Sequence, residues 1–189
     1  TDETDVPTVL SVTSDKSSGS YKAGEKINID VQFSEKVVVK GTPQLTIETG
    51  TKDRVVDYAD TGSGTDTLRF VYTVQAGDTS SDIDYVSSSS LALNGGSIKD
   101  FAGNSADTNL PTPGSEKSLS GGSSTVVVDT TAPSVSFTDI SYANKVVTIT
   151  GSGFSDTPTI DWAKSKFDVN NDGTKTADYT FSSADIASV

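Results

Sequence analysis

The residues with the clearest potential for chemistry lie in the stretch 168–173, which reads D-V-N-N-D-G. Calcium-binding loops of this pattern place an oxygen ligand at every second residue, and their glycine permits the turn that wraps the ligands around one ion. Asp168, Asn170 and Asp172 have this spacing, and Gly173 follows them. The sequence therefore predicts a calcium site in this loop.

The closing ligand of the loop departs from the usual pattern. Its twelfth position is Tyr179 rather than an acid, so we expect the ion to be closed by Asp178 or Asp185. The alternative is an ordinary Asn-Asp-Gly turn in a β-hairpin, whose side chains hydrogen-bond to their own backbone. Calcium binding to the folded chain would separate these two interpretations.

Catalytic chemistry is restricted by composition, because His, Cys and Met are absent from the 189 residues. Catalytic triads with histidine, thiolate chemistry, cysteine–histidine zinc sites and disulfides are therefore excluded. Paired carboxylates would remain, and glycosidases need two of them about 5–10 Å apart across a cleft. The candidates are Asp57 with Glu48, or two of Asp78, Asp82 and Asp84. Aromatic platforms for sugars are scarce, since Trp162 is the only tryptophan, and we predict that the chain is not an enzyme.

The elements that must position these residues are β-strands. Apolar residues alternate with polar ones at 26–33 and again at 67–74, which is the period of a strand with one buried face. Glycine-rich breakers separate such runs. Shorter runs of the same type occur at 9–12, 37–39, 45–47, 55–58 and 126–128. This spacing predicts an all-β fold, either a sandwich or a barrel.

The charge of the chain is strongly acidic, with 26 Asp and Glu against 14 Lys and Arg, a net charge of −12 and a pI near 4.2. Such a chain repels nucleic acids and anionic membranes, and it offers hard oxygen ligands to cations. Its apolar runs are shorter than the roughly 18 residues of a membrane span. We therefore expect neither nucleic-acid binding nor membrane insertion.

A domain boundary is predicted at 129–133, where a strand is followed by D-T-T-A-P. Proline cannot join the hydrogen-bond ladder of a central strand, and a new alternating pattern begins at Ser134. We divide the chain into an N-terminal linker at 1–7, a β-sandwich at 8–131 and a second β domain at 132–189. The second domain is predicted to be partial or truncated, because a complete sandwich needs roughly 100 residues.

Seven motifs recur in order along this part of the chain, YKAGEKI at 21–27, VQFSE at 31–35, GTPQL at 41–45, YTVQAGD at 72–78, LALNGG at 91–96, DFAGN at 100–104 and DTTAP at 129–133. They resemble the tandem immunoglobulin-like repeats of giant bacterial surface proteins, which occur in adhesins and cell-surface motility proteins. The resemblance covers residues 8–133 and implies an extracellular immunoglobulin-like sandwich, often with calcium at the junctions between repeats. A shorter motif at 147–154, V-T-I-T-G-S-G-F, is similar to the start of IPT/TIG-type domains.

This resemblance suggests further calcium ligands at the ends of the sandwich, namely Asp100, Asn104 and Asp129. The alternative is that the acids keep a surface rich in Ser and Thr soluble and that Asn104 supports a tight turn. The same alternatives apply to the group Asp78, Asp82 and Asp84. Some immunoglobulin-like surface domains also form an isopeptide bond from a buried lysine. Solvated side chains are the simpler expectation for the lysines on or beside strands, Lys26, Lys36 and Lys40.

The predicted function is that of a calcium-stabilised, non-catalytic spacer in a large adhesin that is secreted or held on the bacterial cell surface. Its expected partners are the neighbouring repeats of the same polypeptide. One alternative is a module that binds a glycan or protein ligand on other cells or surfaces, with a shallow pocket near Trp162 and Tyr179. Another is a self-assembling surface-layer or fibre subunit, which the short second domain suggests.

Overall fold

The computed structural model describes residues 5–132, 134–141 and 146–152 of the chain. The chain divides into two compact units, Thr1–Thr131 and Ala132–Val189. The division falls inside the D-T-T-A-P stretch at 129–133. Each unit is described by itself.

The described residues form strands and connecting turns, with no helix among them, so the prediction of an all-β fold is confirmed. Accordingly, this part of the chain contains no helix that could cross a membrane. The strands of the first unit are β1 (Val9–Ser14), β2 (Gly19–Tyr21), β3 (Lys26–Lys40), β4 (Gln44–Glu48), β5 (Arg54–Asp57), β6 (Thr65–Thr73), β7 (Thr79–Ser80), β8 (Asp84–Tyr85), β9 (Leu91–Ala92), β10 (Ser97–Lys99) and β11 (Val126–Asp129).

The central element of the first unit is β3, which pairs antiparallel with both β1 and β6. Its alternating residues Ile27, Ile29, Val31 and Phe33 are at most 1% exposed, as their spacing predicts. Burial of each such side chain stabilises the fold by about 1.5–3 kcal/mol. Together with inward residues of β4, β6, β8, β10 and β11, these side chains form one hydrophobic core.

The separation of 26–33 and 37–39 into two strands is wrong, because β3 runs through both without interruption. Residues 34–36 contain neither glycine nor proline, and the backbone N–H of Ser34 donates to the carbonyl of Thr8 at 2.8 Å. The pairing with β6 shifts between Gln32 and Val37 but continues beyond the shift, whereas β1 pairs only with the first half of β3 and β10 only with the second. A change of partner, and not a turn, therefore separates the two halves.

Two further sheets share the core. In one, β4 lies between β5 and the short strands β8 and β9, and all of these pairs are antiparallel. In the other, the last strand β11 lies between β2, to which it is parallel, and β7, to which it is antiparallel. These separate sheets around one core are compatible with the immunoglobulin-like arrangement, which stays a prediction.

The direction of the chain follows from these pairings. Because β1 is antiparallel to β3, it runs toward the start of β3 at Lys26. After β1 the chain reaches β2 and then turns into β3, and β11 runs parallel to β2. The last strand is therefore aligned with β2, the strand that directly precedes β3 in the chain.

In the second unit, β12 (Ser134–Ser141) and β13 (Val146–Ser152) form an antiparallel pair. The register shifts between Phe137 and Asp139, which marks a local irregularity in the pair. The strand pattern predicted from Ser134 onward and at 147–149 is thus confirmed.

Candidate functional site

Most of the predicted calcium ligands lie outside the described residues, so the calcium loop at 168–173 stays a prediction. The same holds for the alternative binding site around Trp162 and Tyr179. The ligands concerned are Asp168, Asn170, Asp172, Asp178 and Asp185.

Asp100 and Asn104 lie together in one tight turn after β10. One carboxylate oxygen of Asp100 accepts hydrogen bonds from the backbone N–H groups of Gly103 at 2.6 Å and Asn104 at 2.7 Å. The other accepts from the Asn104 side-chain amide at 2.8 Å. Burial by itself raises the pKa of Asp100, but these donors outweigh it and lower the pKa below its ordinary value. A cation here would have to share the carboxylate with the turn that it organises.

One apolar side chain of this turn, that of Phe101, is exposed to solvent. Phe101 is 73% exposed, although the backbone on both sides of it is fixed by the hydrogen bonds to Asp100. Aromatic residues are enriched in protein interfaces, whereas single exposed apolar side chains are also normal on protein surfaces. Sequence reasoning identified the turn but assigned no role to Phe101.

Asp129 lies at the other predicted calcium position, at the end of β11. Its exposed carboxylate accepts a hydrogen bond from the backbone N–H of Thr131 at 2.9 Å. Within residues 5–132, 134–141 and 146–152, no three side chains of the Asp, Glu, His and Cys types are grouped closely enough to hold a metal ion.

Asp78, Asp82 and Asp84 are close in sequence, but each binds a different part of the fold. Asp82 accepts a hydrogen bond from the backbone N–H of Val126 at 2.8 Å and thereby positions the start of β11. Asp84 accepts from the Ser120 hydroxyl at 2.6 Å and the Gly114 N–H at 3.0 Å, which positions the long connection at 100–125. All three carboxylates connect segments that are distant in sequence.

Asp78 is the most buried of the three residues, with 1% of its surface exposed. Arg54, at the start of β5, contacts one carboxylate oxygen through Nη2 at 2.6 Å and Nε at 2.7 Å. The Tyr72 hydroxyl, from β6, donates to the other oxygen at 2.6 Å, and the backbone N–H of Gln75 donates to it at 2.9 Å. The carboxylate thus joins two strands and the turn that follows β6.

The electrostatics of this group stabilise the ionised carboxylate. Burial by itself raises the pKa of Asp78, but the hydrogen bonds from Arg54, Tyr72 and the Gln75 backbone outweigh it, and the pKa falls below its ordinary value. Burial and the hydrogen bond to Asp78 both raise the pKa of Tyr72. The group is therefore a neutral phenol bound to a paired carboxylate.

The same turn binds the segment that leaves the first unit. The Thr130 hydroxyl donates to the backbone carbonyl of Asp78 at 2.9 Å and accepts from the backbone N–H of Gly77 at 3.0 Å. We call Arg54, Tyr72, Gly77, Asp78 and Thr130 the exit network. It connects the end of β11 to β5 and β6.

Among the members of the exit network, sequence reasoning named only Asp78 as a candidate site residue, and it missed the charged Arg54 and the exit residue Thr130. Arg54 occupies the same alternating positions as the buried Val56, so the pattern itself places a charged side chain on an inward face that requires a partner. Thr130 carried no such signal, because threonine is common in this chain and in exposed segments.

The other candidate pairs are separated by the strand pairing. Asp57 lies opposite Gln44, whereas Glu48 lies four residues further along β4. Four residues of an antiparallel strand span roughly 13 Å, which exceeds the separation that paired glycosidase carboxylates require.

The three lysines considered for an isopeptide bond, Lys26, Lys36 and Lys40, are all exposed.

Comparison with known proteins adds no identification. No family model, no curated protein and no solved structure matches this chain. The exit network and the path of the chain through the first unit therefore carry the functional proposal.

Proposed function

We propose that residues 8–131 are a structural spacer, an immunoglobulin-like repeat of a large bacterial adhesin that is secreted or held at the cell surface. The observation that carries the proposal is the path of the chain. The N-terminal segment contacts Ser34 in the middle of β3, whereas the exit is bound to the turn after β6, close to the pairing of β6 with the start of β3.

The separation follows from the contacts of each end. At the N-terminal end, the Thr8 carbonyl accepts from Ser34 at 2.8 Å. At the exit, Thr130 binds the turn after β6, and β6 pairs with the start of β3 through Thr73 and Lys26. From Lys26 to Ser34 there are eight residue steps, and about 3.3 Å per step corresponds to a distance along the strand of roughly 26 Å. Units connected in this way would extend a chain.

The pairing of the last strand suits a unit that carries tension. A pull at residue 131 acts along the axis of β11, away from the N-terminal segment. Because β11 is paired with β2 on one side and β7 on the other, this pull shears several backbone hydrogen bonds at once. Bonds that share a force resist it better than bonds that open one after another.

Force spectroscopy on single molecules tests the spacer. The chain has no cysteine, so handles can be attached through Asp5→Cys and Ala132→Cys without competing thiols. We expect the first unit to unfold in one cooperative step at a defined force. Extension like that of an unfolded chain of the same length, with no step, would refute a role in carrying tension.

Calcium is a separate part of the proposal and rests on the loop at 168–173. A cation that binds only the folded state stabilises it by mass action, so excess calcium should raise the melting temperature above that measured in chelator. Calorimetry in both conditions measures the difference. Identical melting temperatures would refute calcium stabilisation and leave the spacer intact.

A second candidate function, a glycan- or protein-binding module, is favoured by the exposed ring of Phe101. A glycan array that compares the wild-type chain with Phe101→Ser tests the glycan form of this function. If the Phe101 ring contacts the glycan, we expect the wild-type chain to bind and the Phe101→Ser variant to lose this binding. Equal signals for both chains would remove Phe101 from the argument for binding.

A further inference from the structure

We propose that the Thr130 hydroxyl is a latch, which holds the end of β11 in place when the chain is pulled at its exit from the first unit. The proposal depends on the spacer function, since it assigns to one residue the point where tension enters the unit. The latch consists of the Thr130 hydroxyl, the Gly77 N–H and the Asp78 carbonyl.

β11 needs such a device because it is short. The strand has four residues, and its pairing with β7 involves only Val128 and Asp129. Ends of short strands open readily, and each opened pair passes the force to the next. Thr130 directly follows the last residue of β11. A pulling force from the exit therefore acts on its two hydrogen bonds before it acts on the backbone hydrogen bonds between β11 and its neighbouring strands.

The other side of the latch is rigid. The backbone carbonyl of Asp78 accepts the hydrogen bond from the Thr130 hydroxyl. The side-chain carboxylate of the same residue is bound by Arg54 and Tyr72. Arg54 belongs to β5 and Tyr72 to β6, and the Tyr72 side chain is 1% exposed. Force that reaches Thr130 is therefore passed through Asp78 to two strands of the core, and not to a free loop.

The chain offers closely matched variants. Thr130→Val keeps the shape of the side chain and removes the hydroxyl, whereas Thr130→Ser keeps the hydroxyl. Thr131→Val is the control, because Thr131 is the next residue and is exposed. Its hydrogen bond to the Asp129 carboxylate is donated by the backbone N–H, which the substitution leaves in place.

The first measurement is the unfolding force of the full chain, with handles at Asp5→Cys and Ala132→Cys. We expect Thr130→Val to unfold at a lower force than the wild type, and Thr130→Ser and Thr131→Val to unfold at the wild-type force. A Thr130→Val chain that resists as strongly as the wild type, or a Thr131→Val chain that is equally weakened, would overturn the latch.

The second measurement is hydrogen exchange of the Gly77 amide without force. Its acceptor is the Thr130 hydroxyl, so its exchange should become about fivefold faster in Thr130→Val, the factor that corresponds to one lost hydrogen bond. Unchanged exchange would overturn the latch even if the force fell. Absence of an unfolding step in the wild type would instead refute the spacer and with it any role of Thr130 under tension, so the two failures are distinguishable.

Discussion

The substitution Asp78→Asn tests the centre of the exit network. Asparagine keeps the size of the side chain but replaces one acceptor oxygen by a donor NH₂ group. That group must face either Arg54, which also donates, or the pair of donors formed by the Tyr72 hydroxyl and the Gln75 N–H. In both orientations at least one donor, the Arg54 guanidinium or the Gln75 N–H, loses its acceptor.

The magnitude follows from the burial of Asp78. Removal of one partner from a buried ion pair costs about 3–5 kcal/mol, and the remaining charge determines where in this range the cost falls. The Arg54 side chain is 16% exposed and can reach water in part, so we expect a loss near the lower end, about 3 kcal/mol. Domains of this size are stable by roughly 5–15 kcal/mol, so the variant should still fold.

Hydrogen exchange at increasing urea concentration measures this loss for peptides of the first unit, separately from the second. The matched control is Asp129→Asn, which makes the same change of charge at an exposed carboxylate and should stay within about 0.5 kcal/mol of the wild type. If Asp78→Asn behaves like this control, the carboxylate does not hold β5, β6 and the exit together.

The pH dependence of the same pair gives an independent check. The pKa of Asp78 is lower in the folded chain than its ordinary value, so its contribution to stability is complete above the ordinary value and is lost as the pH falls through the folded value. The wild type should therefore lose more stability on acidification below about pH 4 than Asp78→Asn does. Parallel curves for the two chains would contradict the assigned ionised state.

Two further predictions concern turns. Asp100→Ala removes the carboxylate that accepts from two amides of its own turn, so hydrogen exchange should rise about fivefold at Asn104 and less at Gly103, whose N–H also donates to the Asp100 carbonyl at 3.4 Å. Asp100→Asn should retain part of the protection, and unchanged exchange of both amides in the alanine variant would contradict the role of the carboxylate in the turn. Gly62→Ala and Gly24→Ala both place a side chain at positive φ, but only at Gly62 does the new Cβ meet a backbone carbonyl, that of Thr67. Urea unfolding should show a loss of free energy of unfolding of about 1 kcal/mol for Gly24→Ala and roughly 2–4 kcal/mol for Gly62→Ala. Equal losses would show that the backbone strain at positive φ, and not the contact with Thr67, determines both.

The elements of the first unit were largely predictable, because a period of two in the sequence places alternate side chains on opposite faces of a strand. The run at 26–33 led directly to the buried row from Ile27 to Phe33, and the run at 67–74 to the buried Leu68, Phe70 and Tyr72. The continuity of β3 was not predictable, since the hydrogen bond of Ser34 to the distant Thr8 and the change of partner from β1 to β10 leave no sign in the local pattern. Two-residue strands such as β7 and β8 are too short to show a period.

What the sequence determined by itself is therefore the all-β class, the inward faces of the long strands and an acidic surface, because these depend on local alternation and on composition. The tertiary structure decided which acids act together. Asp78, Asp82 and Asp84 are neighbours in sequence, but their partners come from β5, β11 and the connection at 100–125. A buried carboxylate binds whichever donors the pairing of distant strands brings within about 3 Å, and no local pattern encodes that choice.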